Sequence, residues 1–389
     1  MKIMSRITDQ RINSTNIYVE TSFGEYISFA ERLIGNNMLQ RKRVRTSKSV
    51  YSLLKHDLLE GCVIPPIVLA VNAEAGITKD ITDDELLTYL QTNPENVLIL
   101  DGLQRTYTLL DARQEALPDK LDEFLGYRLR LEIYIEINKF GVLYRMLTLN
   151  TGQTPMSARH QLEMLYNDML GTEIEDVKLV PEVEGSANPD ENQIVFKNAI
   201  EGFNSYLSRD ELPMDRQQLL ENIKMLENMS EENVQGDLFK EFLEVYIKFM
   251  NILRDKTDRY VLTQDDQEEY EIVSNPFGKK VTAVFSTSQA MTGFGAAIAV
   301  MRDKGILKDF GELLDIISNI DPEEKETEWF LAFLKRMDDI KNLSKKIGNA
   351  QRMYFKYFYR ELFNSESDSY LNLKDAVESA YKKYNSQVN

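Results

Sequence analysis

The spacing of apolar residues changes several times along the chain, and each change marks an element. Between 128 and 138, Leu129, Leu131, Ile133, Ile135 and Ile137 alternate with Arg130, Glu132, Tyr134 and Glu136. This period of two predicts a strand with one face in a core and the other wet or covering a polar site. The wholly apolar run 97–100 predicts a short strand buried on both faces. The run 63–71 reads as a strand whose start, at Pro65-Pro66, is an edge or extended lead-in. Helical spacing begins at Val50, Leu53, Leu54 and Leu58, with Thr46-Ser47 to cap it and Gly61 to end it. Thr82-Asp83-Asp84-Glu85 has the form of a capping box opening a helix through Leu90. Val142, Leu143, Met146 and Leu149 mark a short amphipathic helix that stops at Asn150-Thr151-Gly152. Thr154-Pro155 starts the next one, with Leu162, Leu165, Tyr166 and Met169 as its buried stripe.

Segment 171–193 is acidic, contains prolines and glycines, and has weak periodicity, so it reads as a connection or a long loop. From about 194 onward helical stripes dominate, near 214–229, 236–254, 288–304, 309–319, 325–341, 344–363 and 371–384. The exception is 270–287, where Asn275-Pro276-Phe277-Gly278 looks like a turn between two short extended pieces. The first part, 1–170, mixes strands and helices, an acidic connection spans 171–193, and a mainly helical domain spans 194–389.

Composition narrows the partners. The chain has 389 residues, enough for two domains or one large one, and at 43% hydrophobic it can bury a sizeable core. Its net charge of −17 argues against non-specific nucleic-acid binding by the whole surface, which needs many Lys/Arg–phosphate contacts. A local exception is the run Arg41, Lys42, Arg43, Arg45 and Lys48. It reads either as a DNA-contacting patch, through Arg43, Arg45 and Lys48, or as a solvated basic stretch. Cys62 is the single cysteine, so no intrachain disulfide or Cys-based zinc site is expected. His56 and His160 are the only histidines, too few for an HNH-type nuclease centre, and no metal-ligand set is read. No signal-peptide core or membrane-length apolar run is present, so the expectation is a cytoplasmic protein without membrane contact.

The chemistry concentrates in 97–106, Val-Leu-Ile-Leu-Asp-Gly-Leu-Gln-Arg-Thr. A buried strand runs into Asp101-Gly102, and Gln104-Arg105-Thr106 stands where a helix should begin. A turn of this kind aims backbone N–H groups, an amide and a guanidinium at one point, which suits a phosphate. The plainer reading makes Asp101 an N-cap, with Gly102 relieving backbone strain and Gln104 and Arg105 solvated. Asn150-Thr151-Gly152-Gln153 is a second polar turn that follows the next strand and its helix. No Walker A motif is present.

Asp101-Gly102-Leu103-Gln104-Arg105-Thr106 resembles the DGQQR/DGQHR box of the ParB/sulfiredoxin-like superfamily. The pattern is similar to GmrSD-type N-terminal domains, SspE and DndB-like proteins. Gln40-Arg41 resembles the upstream QR of that group, 63–67 its I-P-P-I strand, and 149–157 its N-x-G-x-x-L-S element. The likeness covers about 35–170. It implies a compact ParB-like α+β fold with a small mixed sheet in the N-terminal domain, holding a nucleotide, with a nucleoside triphosphate and Mg²⁺ as the implied cofactors. The implied phosphate-binding set is Gln40, Arg41, Asp101, Gly102, Gln104, Arg105, Thr106, Asn150 and Thr151. In it Asp101 orients the turn or a metal-bound water, Gln104 and Arg105 contact phosphates, and Asn150 adds an amide. Leu103 replaces the first Gln of the box, which favours ligand binding over hydrolysis. Cys62 falls outside the box, against a sulfiredoxin-like redox role.

Three functions follow as expectations. The first is a nucleotide-binding switch, or slow NTPase, in bacterial or phage DNA-related biology such as defence or restriction, lacking a nuclease of its own. The second is a non-enzymatic DndB-like regulator binding DNA or protein. The third is an acidic decoy that inhibits a nucleic-acid-binding protein. The helical half is expected to carry a protein-partner surface.

Overall fold

The alternation at 128–138 becomes the longest strand of a five-stranded mixed sheet. A computed structural model describes residues 1–36, 48–72, 76–149, 158–182, 192–212, 238–257, 259–274, 277–320 and 327–388. The chain divides into two units, Met1–Met156 and Ser157–Asn389. It is a mixed α/β protein with a small mixed sheet in the first unit and a mainly helical second unit.

The first unit opens with β1 (Lys2–Asp9), β2 (Ser14–Ser22) and α1 (Phe23–Asn36). It continues with α2 (Lys48–Leu59), β3 (Ile67–Asn72) and α3 (Asp83–Thr92). Then come β4 (Val97–Asp101), α4 (Leu103–Glu115), α5 (Leu121–Gly126), β5 (Arg128–Ile137) and α6 (Lys139–Leu149). The strand order is β1-β2-β5-β3-β4. Only β3 and β5 run parallel; the other neighbours are antiparallel. Ile17 stands opposite Ile133, and Leu69 opposite Ile133 and Ile99. The apolar face made by Ile17, Val19, Leu69, Ile99, Leu131 and Ile133 is sealed by Tyr26, Ile27 and Ala30 of α1 and by Leu109 and Ala112 of α4. The capping box forms: Thr82 accepts from the Glu85 N–H, and Glu85 accepts from the Thr82 N–H. Gly61, at φ +82, ends the segment after α2.

The domain boundary falls earlier than the expected 170. Helix α7 (Ala158–Leu165) belongs to the second unit because it is bound to α8 (Phe196–Ser208). Arg159 pairs with Glu201 at 3.0 Å, and Tyr166 packs edge-on to Phe203 at 5.6 Å. The stretch expected as a plain connection instead contributes β6 (Glu173–Ile174), β7 (Val177–Val180) and β8 (Gln193–Val195), joined in one small sheet.

The helices that follow are α9 (Leu238–Lys256), α10 (Gln264–Glu269), α11 (Val281–Phe285), α12 (Ser288–Asp303) and α13 (Phe310–Ser318). Last come α14 (Glu328–Leu343), α15 (Ile347–Phe363) and α16 (Leu373–Val388). The segment expected at 214–229 lies outside the described residues. Within 270–287, Val281–Phe285 is helical rather than extended, because Val281, Val284 and Phe285 are all buried. The aromatic helix is core: Tyr354, Phe355, Phe358, Tyr359 and Phe363 of α15 are fully buried.

Helix α12 is wedged against α8 and α15 at backbone distance. A Cβ on Gly295 would lie 2.2 Å from the Gly202 carbonyl oxygen and 2.8 Å from the Tyr206 nitrogen. One on Gly293 would lie 2.5 Å from the Phe355 Cβ. Phe294 fills the space between them, 4.9 Å from the Tyr246 ring and 5.2 Å from that of Tyr359. Trp329 of α14, only 1% exposed, closes the same core beside Phe330 and Phe285. Asp338, also on α14 and buried, accepts the Val273 N–H at 3.1 Å, the Ser274 N–H at 2.9 Å and the Ser274 hydroxyl.

Gly295→Ala is expected to lower unfolding free energy by at least about 2 kcal/mol in urea titrations, since the backbone on the other side cannot yield. Gly126→Ala, at a helical position with open space around it, is expected to be neutral or slightly stabilising. Asp338 makes a pH prediction. Burial by itself would raise its pKa, but the hydrogen bonds from Ser274 and the Val273 and Ser274 amides outweigh that and hold it below its ordinary value. Its contribution is therefore present above the unfolded carboxylate pKa of about 3.9 and is lost as pH falls through the lower folded value. Asp338→Asn should destabilise the second unit at pH 7, with the gap to the parent narrowing in melts below about pH 4.

Candidate functional site

The box is built by a strand that stops one residue before a helix starts. Asp101 ends β4 opposite Val68, and Gly102 adopts φ 99, ψ 9 as the N-cap of α4. A side chain at Gly102 would be strained at that φ and would press on Ile67 at 3.0 Å. Glycine supplies no side-chain cap, and Asp101 is not the N-cap. The first intrahelical bond runs from the Thr106 N–H to the Gly102 carbonyl at 2.9 Å. The amides of Leu103, Gln104 and Arg105 therefore have no acceptor within the helix, and this end of α4 carries the positive pole of the helix dipole.

The side chains divide into three roles. Arg105 is a clamp: Nη1 donates to the Pro65 carbonyl at 2.6 Å and to the Pro66 carbonyl at 2.9 Å, and Nη2 donates to the Asp101 carboxylate. Both Asp101 and Arg105 are mostly buried, at 16% and 14% side-chain exposure, so this pair is shielded from water. Thr106 faces the core. It is fully buried, donates to the Gly102 carbonyl at 3.0 Å, and so accepts the Tyr26 hydroxyl at 2.8 Å. Burial pushes the Tyr26 phenol well up, which keeps it a donor. Thr106 therefore secures the turn from inside and has no hydroxyl proton left for a phosphate. Gln104 differs from both: its Nε2 is buried and has no hydrogen-bond partner among the described residues. A buried amide donor left unpaired costs about 1–3 kcal/mol, which a bound acceptor would recover.

Gln40, Arg41, Arg43, Arg45, Asn150 and Thr151 lie outside the described residues, and Lys48 is described only as the first residue of α2. Asp101, Gly102, Gln104, Arg105 and Thr106 are the members seen together. Cys62 is half-buried, and burial, helped by the Asp57 carboxylate, pushes its thiol up and away from reactive thiolate character.

Sequence reasoning missed a second polar cluster, on the sheet face away from the α1/α4 core. Arg145 of α6 pairs with Asp9 and lies 5.0 Å from the Tyr134 ring, while Asn16 stands opposite Tyr134 across β2 and β5. Burial lowers the pKa of Arg145. The Arg145 Nε and Ser14 Oγ are buried without partners among the described residues, while the Asn16 side chain interacts with the Tyr134 phenol. The signal was the polar alternate face of 128–138, since Tyr134 is its member with 4% exposure.

No protein-family model matches the chain, and no curated protein or solved structure is found similar to it. Among the described residues no helix is long and apolar enough to cross a membrane.

Thr106→Val removes the acceptor of the buried Tyr26 phenol without changing volume much. Unfolding free energy is expected to drop by about 1–3 kcal/mol in urea titrations. Tyr26→Phe in the same background should recover most of that loss, because it removes the orphaned hydroxyl as well.

Proposed function

We propose that this chain is a ParB-like nucleotide-binding protein of bacterial or phage DNA-related biology, taking nucleotide phosphates at the start of α4. The observation that carries this reading is the buried Nε2 of Gln104 in the first turn, without a partner among the described residues, beside amides that the helix itself cannot satisfy. Anions bind at such helix ends because oriented N–H groups and the dipole act together. The DGLQRT box supports the same reading through its likeness to DGQQR proteins. Binding is favoured over turnover. Arg105 already spends its guanidinium on Asp101 and two carbonyls, and Leu103 adds no polar group. In this reading Asp101 and Arg105 fix the turn, and Gln104 with the adjacent amides reads the ligand.

A thermal-shift panel with ATP, GTP, CTP and UTP, each with and without Mg²⁺, tests it. At about a hundredfold excess over Kd a nucleotide adds about 2.7 kcal/mol and should raise Tm by several degrees. Gln104→Leu should abolish the shift while leaving the unliganded Tm unchanged or higher, since it removes an unsatisfied donor. A panel with no shift for any nucleotide would overturn the reading.

A further inference from the structure

Acids outnumber bases by 63 to 46 in this chain, yet residues 340–360 hold six lysines and arginines and no acid. Three of the six are neutralised within the fold: Arg352 by Glu201, Lys356 by Glu211 and Arg360 by Glu361. The other three, Lys341, Lys345 and Lys346, stand at the turn from α14 to α15 and have no ion-pair partner among the described residues. The same turn exposes two large aliphatic side chains, Leu343 at 75% and Ile347 at 38%. It is a fixed corner, because the Ser344 and Tyr384 hydroxyls bond at 2.7 Å and tie it to α16. The end of α16, 380–388, adds Lys382 and Lys383 and again no acid. Aliphatic groups flanked by uncompensated charge have the make-up of a contact surface, apolar at its centre and charged at its rim.

A neighbouring ledge carries the opposite sign. Asp265, Glu268 and Glu269 of α10, and Glu271 just after it, are exposed, and no cation pairs with them among the described residues. Val273, in the same segment, is 82% exposed. This ledge is anchored to α14: Lys335 Nζ donates to the Glu271 carbonyl at 3.0 Å, and the Val273 and Ser274 amides donate to Asp338. Its residues advance along α14 toward the basic turn, since Glu271 meets Lys335 and Ser274 meets Asp338. Leu343 follows Asp338 by about 7.5 Å along the helix axis, at about 1.5 Å per residue. The acidic ledge and the basic corner are therefore neighbours along one helix of the second unit.

We propose that this surface docks a second copy of the chain, with the basic corner of each protomer seated on the acidic ledge of the other. A twofold contact requires a patch that complements itself, and two adjacent halves of opposite sign meet that requirement. In such a pairing Lys345 and Lys346 face the partner's carboxylates, while Leu343, Ile347 and Val273 lose their exposure to water. Charge also selects this occupant over the alternatives. Nucleic acid or an anionic membrane would attract the lysines but would meet Asp265, Glu268, Glu269 and Glu271 beside them, and like charges brought together are penalised. A partner that presents both signs fits both halves. All the residues involved belong to the second unit, so the surface is separate from the turn at α4.

Sedimentation velocity of the full chain without nucleotide, over a concentration series, tests the proposal by exchanging charges. The parent should dimerise at concentrations up to about 100 µM in about 0.1 M salt, and at least about tenfold more weakly in about 1 M salt, where the Debye length falls to about 3 Å. Lys345→Glu/Lys346→Glu should be monomeric, and so should Glu268→Lys/Glu269→Lys. An equimolar mixture of the two variants should dimerise again, because each then meets the opposite sign on both halves. All four side chains are exposed, so circular dichroism melts should match the parent. Should either double variant melt lower, Lys345→Glu and Glu269→Lys carry the same crossed test singly. The proposal is overturned if the parent stays monomeric throughout, if either variant dimerises with parental affinity, or if the mixture stays monomeric. It is likewise overturned if a monomeric parent binds duplex DNA or phosphatidylserine vesicles and loses that binding with Lys345→Glu/Lys346→Glu, because the corner then serves that polyanion.

Discussion

The first unit depends on what Arg105 holds. Strand β3 is the only link between β4 and β5 in the sheet order, and it is preceded by two prolines that cannot donate to a ladder. Their carbonyls still accept, and the Arg105 guanidinium takes both while also binding the carboxylate at the end of β4. One side chain therefore fixes where β3 begins, where β4 ends and how α4 departs. This is a mostly buried ion pair backed by two further guanidinium bonds to backbone carbonyls, which offset part of its desolvation. The same interaction removes the residue that sequence comparison would most readily assign to a phosphate.

In the second unit the controlling constraint is volume rather than charge. Glycines at 202, 293 and 295 let three helices approach until backbones touch, and large aromatic rings then fill the flanks. Tyr246 needs a partner in that setting and finds one, donating to the Phe285 carbonyl at 2.6 Å. The Trp329 Nε1 in the same core is buried with no hydrogen-bond partner among the described residues, so the ring is held there by packing rather than by its polar edge.

Much of this was legible in the sequence, and the failures have physical reasons. The capping box at Thr82, the strand at 128–138 and the helices from 288 onward follow from local chemistry and period. The opening β1–β2 hairpin does not, because β2 places Ser14 and Thr15 in the interior and β1 leaves Met4 and Ile7 exposed, which blurs the alternation. Helix α7 reads as part of the first domain until its ion pair and ring contact with α8 are known. At the candidate site the strand–Gly–helix turn is readable from Asp101-Gly102. The task of Arg105 is not, since its acceptors are backbone oxygens 39 and 40 residues upstream with no side-chain signature. The burial of Thr106 depends on Tyr26 in the same way, 80 residues away.

Trp329 has a practical consequence. It is the single tryptophan of the chain, and it sits in the core of the second unit, while the DGLQRT turn lies in the first. Emission excited selectively at the indole is therefore a reporter of one unit only. Far-ultraviolet dichroism sums over both. Two denaturation curves recorded on one sample by these probes will coincide only if the units melt as a single cooperative block, and any separation between them measures how independently the halves hold their folds.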